Sequence, residues 1–158
     1  MNNIGIIGLG NPLRHDDGIG IELLGFLQKE KDTSYKEAEL IDAGTGGMNL
    51  LHLLSRFDVA VLIDAVDFKG KPGETRLFTL SEIQQKKTPI RLSTHESDFI
   101  SVLALSKQLN ELPQRLYVFG VQPYDLSFGI GLSTQLKKQL PDLKKTLKKE
   151  IQQVLSEK

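Results

Sequence analysis

The sequence predicts an α/β fold, a mostly parallel mixed sheet with helices on both faces in a single three-layer domain. Short apolar runs break repeatedly into a turn bearing a carboxylate or glycines, and then into a stretch of helical periodicity. The run Val59-Ala60-Val61-Leu62-Ile63 is apolar throughout, as a central parallel strand buried on both faces requires. At 158 residues the chain can cover such a sheet with helices and implies no second core.

The first unit opens with a strand over residues 4–9, which breaks at Gly10-Asn11-Pro12. Asp16 and Asp17 follow in the loop. A helix starts near Ile19, with Ile19, Leu23, Phe26 and Leu27 on one face. In open α/β sheets, ligands sit beyond the carboxyl ends of the strands, so this loop offers both carboxylates to whatever binds there. Residues 32–37 are polar and read as a loop. The second strand, residues 38–41, runs into Asp42-Ala43-Gly44-Thr45-Gly46-Gly47, whose glycines permit positive φ or a close approach of backbone to ligand. A buried helix carrying Met48, Leu50, Leu51, Leu53 and Leu54 comes next.

The third strand, residues 59–63, ends at Asp64, a third carboxylate at the same edge. Lys69-Gly70-Lys71-Pro72-Gly73 is a turn, and residues 75–80 form a further strand. That connection is too short for a crossover helix, which sets the strand antiparallel to its predecessor, at or near a sheet edge. Residues 81–89 are polar and lysine-rich and are assigned to solvent. Ser93-Thr94-His95-Glu96 has the form of a capping box, so a helix starts there and carries Phe99, Val102, Leu103 and Ser106 inward. Residues 116–121 are a buried strand leading to Gln122-Pro123-Tyr124-Asp125, and residues 126–132 a loop. The chain is helical from Ser133, and Pro141 is expected to break that helix or start a new one. Leu143, Leu147, Ile151, Val154 and Leu155 form an apolar stripe. Lys144, Lys145, Lys148 and Lys149 make a solvated basic face.

The 20 basic and 20 acidic side chains cancel, so the overall charge advertises neither nucleic acid nor a membrane. The lack of cysteine excludes disulfides, thiolate metal sites and a cysteine nucleophile together. With no signal-peptide pattern and no apolar window of membrane-spanning length, the chain reads as cytoplasmic.

Of the three histidines, His15 lies in the first loop, His52 reads as a packing residue in an apolar helix, and His95 falls in a helix's first turn. Backbone amides and the helix dipole there favour neutral imidazole, the form that binds metal. The candidate constellation is therefore Asp17, Asp64 and His95, from three segments at one sheet edge. Two carboxylates and an imidazole suit zinc, nickel, iron or manganese; softness alone does not choose. Three protein ligands leave a place for a substrate group or water, as a catalytic centre requires. Hydrolysis is the natural reaction, because a divalent ion polarises a carbonyl or lowers the pKa of its water toward about 7. The two-histidine spacing of zinc proteases and the Gly-x-Ser-x-Gly elbow are both missing. Leu13 stands where the third glycine of a dinucleotide fingerprint would be, so no organic cofactor is expected.

Taken in order, Gly8-Leu9-Gly10-Asn11-Pro12-Leu13, Asp16-Asp17-Gly18-Ile19-Gly20, Asp42-Ala43-Gly44-Thr45-Gly46-Gly47, Asp64-Ala65, His95 and Gly120-Val121-Gln122-Pro123 run through most of the chain. In this order and spacing they resemble the hydrogenase maturation proteases, endopeptidases that trim the carboxyl terminus of the large subunit of nickel-iron hydrogenases. The resemblance implies one domain of this kind over residues 1–158 with a twisted mixed sheet. It also implies that Asp17, Asp64 and His95 stand where the family binds nickel. The nickel is implied to arrive with the substrate, bound to cysteines of the large-subunit precursor, which a monomeric protease meets transiently and cuts after nickel insertion. Nickel then either holds the scissile bond in place or polarises its carbonyl while Asp42 or Asp16 activates water.

Gly8-Leu9-Gly10-Asn11-Pro12 also looks like the opening of the peptidyl-tRNA hydrolases. His15-Asp16-Asp17 departs from the arginine-histidine-asparagine run expected there, and the acidic pair would repel tRNA phosphate. A non-catalytic metal-sensing chaperone for hydrogenase assembly would carry the same ligands and cut nothing.

Overall fold

The computed structural model describes residues 2–30, 34–84, 91–92 and 96–157. The apolar runs become strands β1 (Ile4–Gly8), β2 (Ala38–Asp42), β3 (Val59–Asp67), β4 (Thr75–Thr79), β5 (Arg91–Leu92) and β6 (Arg115–Val121). The sheet order is β2-β1-β3-β6-β4, with β5 paired to the end of β3. β1, β2, β3 and β6 are parallel; β4 runs antiparallel along β6 at the edge, as its short connection demands. Every residue of β3 from Val59 to Val66 is buried, in keeping with its uninterrupted apolarity and central place.

Helices α1 (Ile19–Lys29) and α5 (Thr134–Ser156) cover one face, packing Leu23, Leu27, Leu143 and Leu147 against Ile6, Val61 and Ile63. Helices α2 (Asn49–Leu54) and α4 (Glu96–Gln108) cover the other, packing Leu50, Leu54, Phe99 and Val102 against Ile7 and Leu62. The register aligns the carboxyl ends of the strands: Gly8 is paired with Asp42 on one side and Ile63 on the other, and Asp64 with Gly120.

The first turn of α1 crosses the sheet with no room for a side chain. A Cβ on Gly20 would run into the carbonyl oxygens of Leu9 and Ile63. Gly20→Ala is expected to push α1 off the strands and cost about 1–3 kcal/mol, read as a lowered denaturant midpoint at unchanged slope.

Four local expectations change. β3 continues to Asp67, so Asp64 lies inside the strand rather than at its end; β6 and β5 extend the ladder through Ala65↔Val121 and Val66↔Leu92. α3 (Leu80–Gln84) takes the last residue of the expected strand and the first four of the stretch assigned to solvent, held by a reciprocal cap in which Glu82 N donates to Thr79 Oγ1 at 3.3 Å and Thr79 N to Glu82 Oε2 at 3.0 Å. α5 runs unbroken through Pro141. An interior proline costs about 3 kcal/mol. Leu136 before it and Leu143, Leu147, Ile151 and Val154 after it are all buried, at about 1.5–3 kcal/mol each, so packing outweighs the lost bond. His52 faces solvent, because α2 turns only Leu50, Leu51 and Leu54 inward.

The basic face of α5 is only partly solvated. Lys144 lies 4.9 Å from the centre of the Phe26 ring and Lys148 Nζ 2.9 Å from the Glu30 carboxylate, both tying α5 to α1, while Lys145 and Lys149 are exposed. The start of α4 at Glu96 agrees with the expected helix; Ser93, Thr94 and His95 lie outside the described residues. Among the described residues, no helix is long and apolar enough to cross a membrane.

Candidate functional site at the carboxyl edge of the sheet

The loops after β1 and β2 are bound to each other and to β3 by backbone hydrogen bonds. Leu9 N donates to Ile63 O at 2.9 Å, Ala43 N to Gly8 O at 3.0 Å, and Gly10 N to Gly44 O at 2.8 Å. Gly10 has φ 138° and its missing side chain makes room for the carbonyl of Asp17, so the chain can fold back upon itself. Asp17 then sits in a 3-10 turn, His15–Gly18, that packs against β3. Its Oδ2 accepts from Asn11 N at 3.0 Å.

Asp17 is 4% exposed and Asp64 0%. Carboxylates taken out of water need hydrogen bonds or a cation to remain charged, and these two come from elements that pack against each other. Side-chain alternation along β3 sets Asp64 on the face covered by α2 and α4. The third expected ligand, His95, lies outside the described residues, and among the described residues no three histidine, aspartate or glutamate side chains converge on one point.

Asp16, next door, is wholly buried and points elsewhere. Its Oδ2 accepts from Tyr124 N and Asp125 N, each at 2.9 Å, and from Ser133 Oγ at 2.8 Å, while Oδ1 accepts from Ser133 N at 2.7 Å. Asp16 N returns a bond to Asp125 O at 2.9 Å. This carboxylate holds the β6–α5 loop. Asp42, the last residue of β2, is exposed; its Oδ1 accepts from Gly44 N at 2.9 Å, shaping a turn in which Gly44, Gly46 and Gly47 all have positive φ.

His15 has φ 46°, in the left-handed region that few side chains adopt. It is held there by its N–H to Gly129 O at 3.0 Å and a ring bond between Nδ1 and Gly131 O at 2.8 Å. Gly129 has no side chain to collide with the imidazole. His15 thus joins Asp16 in clipping residues 124–133 to the first loop.

Gln122, in the segment Gly120-Val121-Gln122-Pro123, performs a similar task on the other side. Its buried side-chain oxygen accepts from Phe68 N at 2.9 Å and Gly70 N at 3.0 Å, and its amide donates to Asp67 Oδ1 at 3.1 Å. The Lys69 N–H beside Asp67 holds that carboxyl below its ordinary pKa, aided by Gln122 and opposed by partial burial. Gln122→Ala is expected to strand two N–H groups and cost about 1–3 kcal/mol, measured by chemical denaturation.

Sequence reasoning missed the β6–α5 segment. Tyr124, Leu126, Phe128 and Ile130, at every second position, are exposed, while Asp125 and Gly129 between them bond to the first loop. The alternation Tyr-Asp-Leu-Ser-Phe-Gly-Ile-Gly was the available signal. A separate surface cleft, lined by Asn3, Glu39, Arg56 and Phe57, lies by the amino-terminal ends of β1 and β2, away from these carboxylates.

Residues 23–150 match the sequence model of a family described as hydrogenase maturation protease. The hydrogenase expression/formation protein HupD of Thiocapsa roseopersicina is 34% identical over 136 residues, covering 85% of this chain; this chain spans only 61% of that protein's length. The hydrogenase 2 maturation protease of Escherichia coli K12 is 29% identical over 144 residues, 90% of this chain and 87% of that one. Among solved structures, the hydrogenase-maturating endopeptidase HybD from E. coli superposes with a TM-score of 0.73 at 25% identity, over 92% of this chain and 89% of the other. The [NiFe] hydrogenase maturation protease HybD from Thermococcus kodakarensis superposes with a TM-score of 0.70 at 27% identity, over 93% and 97%. Sequence and fold agree across the sheet whose edge carries the two buried aspartates, and the chain belongs to the hydrogenase maturation protease family.

Proposed function

We propose that this chain is an endopeptidase that removes the carboxyl-terminal extension of a nickel-iron hydrogenase large-subunit precursor, reading the precursor's nickel through Asp17, Asp64 and His95. The observation that supports this most is the pair of buried carboxylates, Asp17 and Asp64, at one edge of a fold shared with solved hydrogenase-maturing endopeptidases. Two carboxylates and one imidazole suit a borderline divalent ion that thiolates of the substrate already hold. Contacts to that ion would fix the neighbouring peptide bond at the edge, and such positioning supplies a large share of a rate.

In the cleavage itself, water adds to the scissile carbonyl carbon, the C–N bond breaks, and the leaving nitrogen takes a proton. Of the two further acids at this edge, Asp42 is open to solvent and is our candidate for activating the water, whereas Asp16 has both oxygens engaged by backbone and hydroxyl donors. The reading has a monomeric protease meeting its precursor transiently in the cytoplasm.

Intact-mass measurement of nickel-loaded and nickel-free precursor, before and after incubation, tests the proposal. Loss of a carboxyl-terminal peptide from the loaded form alone is expected. Binding without any mass loss, with loading verified, would overturn the protease reading, and equal cutting of both forms would remove the role of nickel.

A further inference from the structure

Among the described residues, six of the eight large apolar side chains left exposed come from loops at the candidate edge: Leu13, Met48, Tyr124, Leu126, Phe128 and Ile130. Phe128 and Ile130 are 83% and 85% exposed, as bare as side chains in an unfolded segment. Burying groups of this size is ordinarily favourable by about 1.5–3 kcal/mol each, so a folded chain that holds them out forgoes that gain. Clusters of this kind mark interaction surfaces.

The segment carrying four of them is held in place rather than loose. Tyr124 N and Asp125 N donate to Asp16, Arg14 Nε donates to Leu126 O at 3.2 Å, and Gly129 N donates to Leu13 O at 2.8 Å. These bonds fix the backbone of the segment and leave the side chains of Tyr124, Leu126, Phe128 and Ile130 outside. A surface fixed before binding loses little entropy when a partner arrives.

We infer that this apolar segment, residues 124–130 with Leu13 beside it, is the docking surface for an apolar stretch of the precursor polypeptide that flanks the bond to be cut. The inference rests on the proposed function and names how that site takes its substrate. The patch has its local charges already engaged: Arg14 stacks 5.5 Å from the centre of the Phe128 ring, and Asp125 Oδ1 accepts from Ser127 N at 2.8 Å and Ser127 Oγ at 2.6 Å. An uncharged apolar partner therefore fits it better than an acidic or basic one. The patch is anchored beside the candidate site in the chain, because Asp16, which holds it, directly precedes Asp17.

The test is steady-state processing of nickel-loaded precursor by the double variant Phe128→Ser with Ile130→Ser, beside Leu109→Ser, which removes an exposed apolar group at the far end of α4. The double variant is expected to raise KM about 10-fold or more with kcat within about twofold, the pattern of lost uniform binding, while Leu109→Ser changes neither. A photo-cross-linking residue at position 128 is expected to capture the precursor. An unchanged KM, a fall in kcat alone, or capture of a second copy of this chain would overturn the inference. Cross-linking reads docking whether or not cleavage follows, so a wild-type protein that captures precursor without cutting it counts against the proposed function alone.

Discussion

Asp64→Asn is expected to lower kcat/KM for the nickel-loaded precursor by about 100-fold or more, equivalent to about 2.7 kcal/mol of transition-state stabilisation, in a protein that still folds. Asparagine keeps the shape that β3 packs around, but it replaces an anionic oxygen with a neutral amide that holds a cation far more weakly. Asp17→Asn and His95→Ala are expected to do the same. Processing rates by mass spectrometry, taken beside thermal unfolding of each variant, separate this from collapse of the fold. A variant of any of the three that processes at the wild-type rate would remove that residue from the site.

Asp16→Ala is expected to have the opposite character, a loss of about 3–4 kcal/mol in stability. Four donors converge on that buried carboxylate, and alanine leaves all of them without an acceptor. One of the four, the Ser133 hydroxyl, also accepts from Leu136 N at 3.3 Å as the amino-terminal cap of α5, so the damage extends into that helix. Denaturant unfolding should report the lost stability, and hydrogen exchange should report faster exchange at the amides of Tyr124, Asp125 and Ser133. Cleavage should still depend on nickel in whatever fraction remains folded. Two adjacent aspartates would thus divide into one that holds the loop and one that serves the substrate.

The holding role of Asp16 was not legible in the sequence, which offered it as a candidate for activating water. That role comes from bonding to residues 108 to 117 positions away, and no local pattern records contacts at that distance. The same limit hid the role of His15, whose left-handed conformation depends on Gly129 and Gly131. The strands were legible because each apolar run is long enough to demand burial on its own, β3 above all. Asp64 could be picked out for the same reason, although its place within the strand depends on partners β5 and β6. Pro141 shows tertiary packing overriding a local signal, and α3 the reverse: the Thr79 to Glu82 cap was written in the sequence but straddled an expected strand and a stretch whose polarity suggested solvent.

Whether nickel is read at this edge is decided by the affinity of wild-type protein and of Asp64→Asn for precursor with and without nickel. Wild type is expected to bind the loaded precursor at least about 10-fold more tightly, a difference of about 1.4 kcal/mol, and Asp64→Asn to lose this preference. Equal affinity of wild type for the two precursors, or a preference that survives in Asp64→Asn, would contradict it.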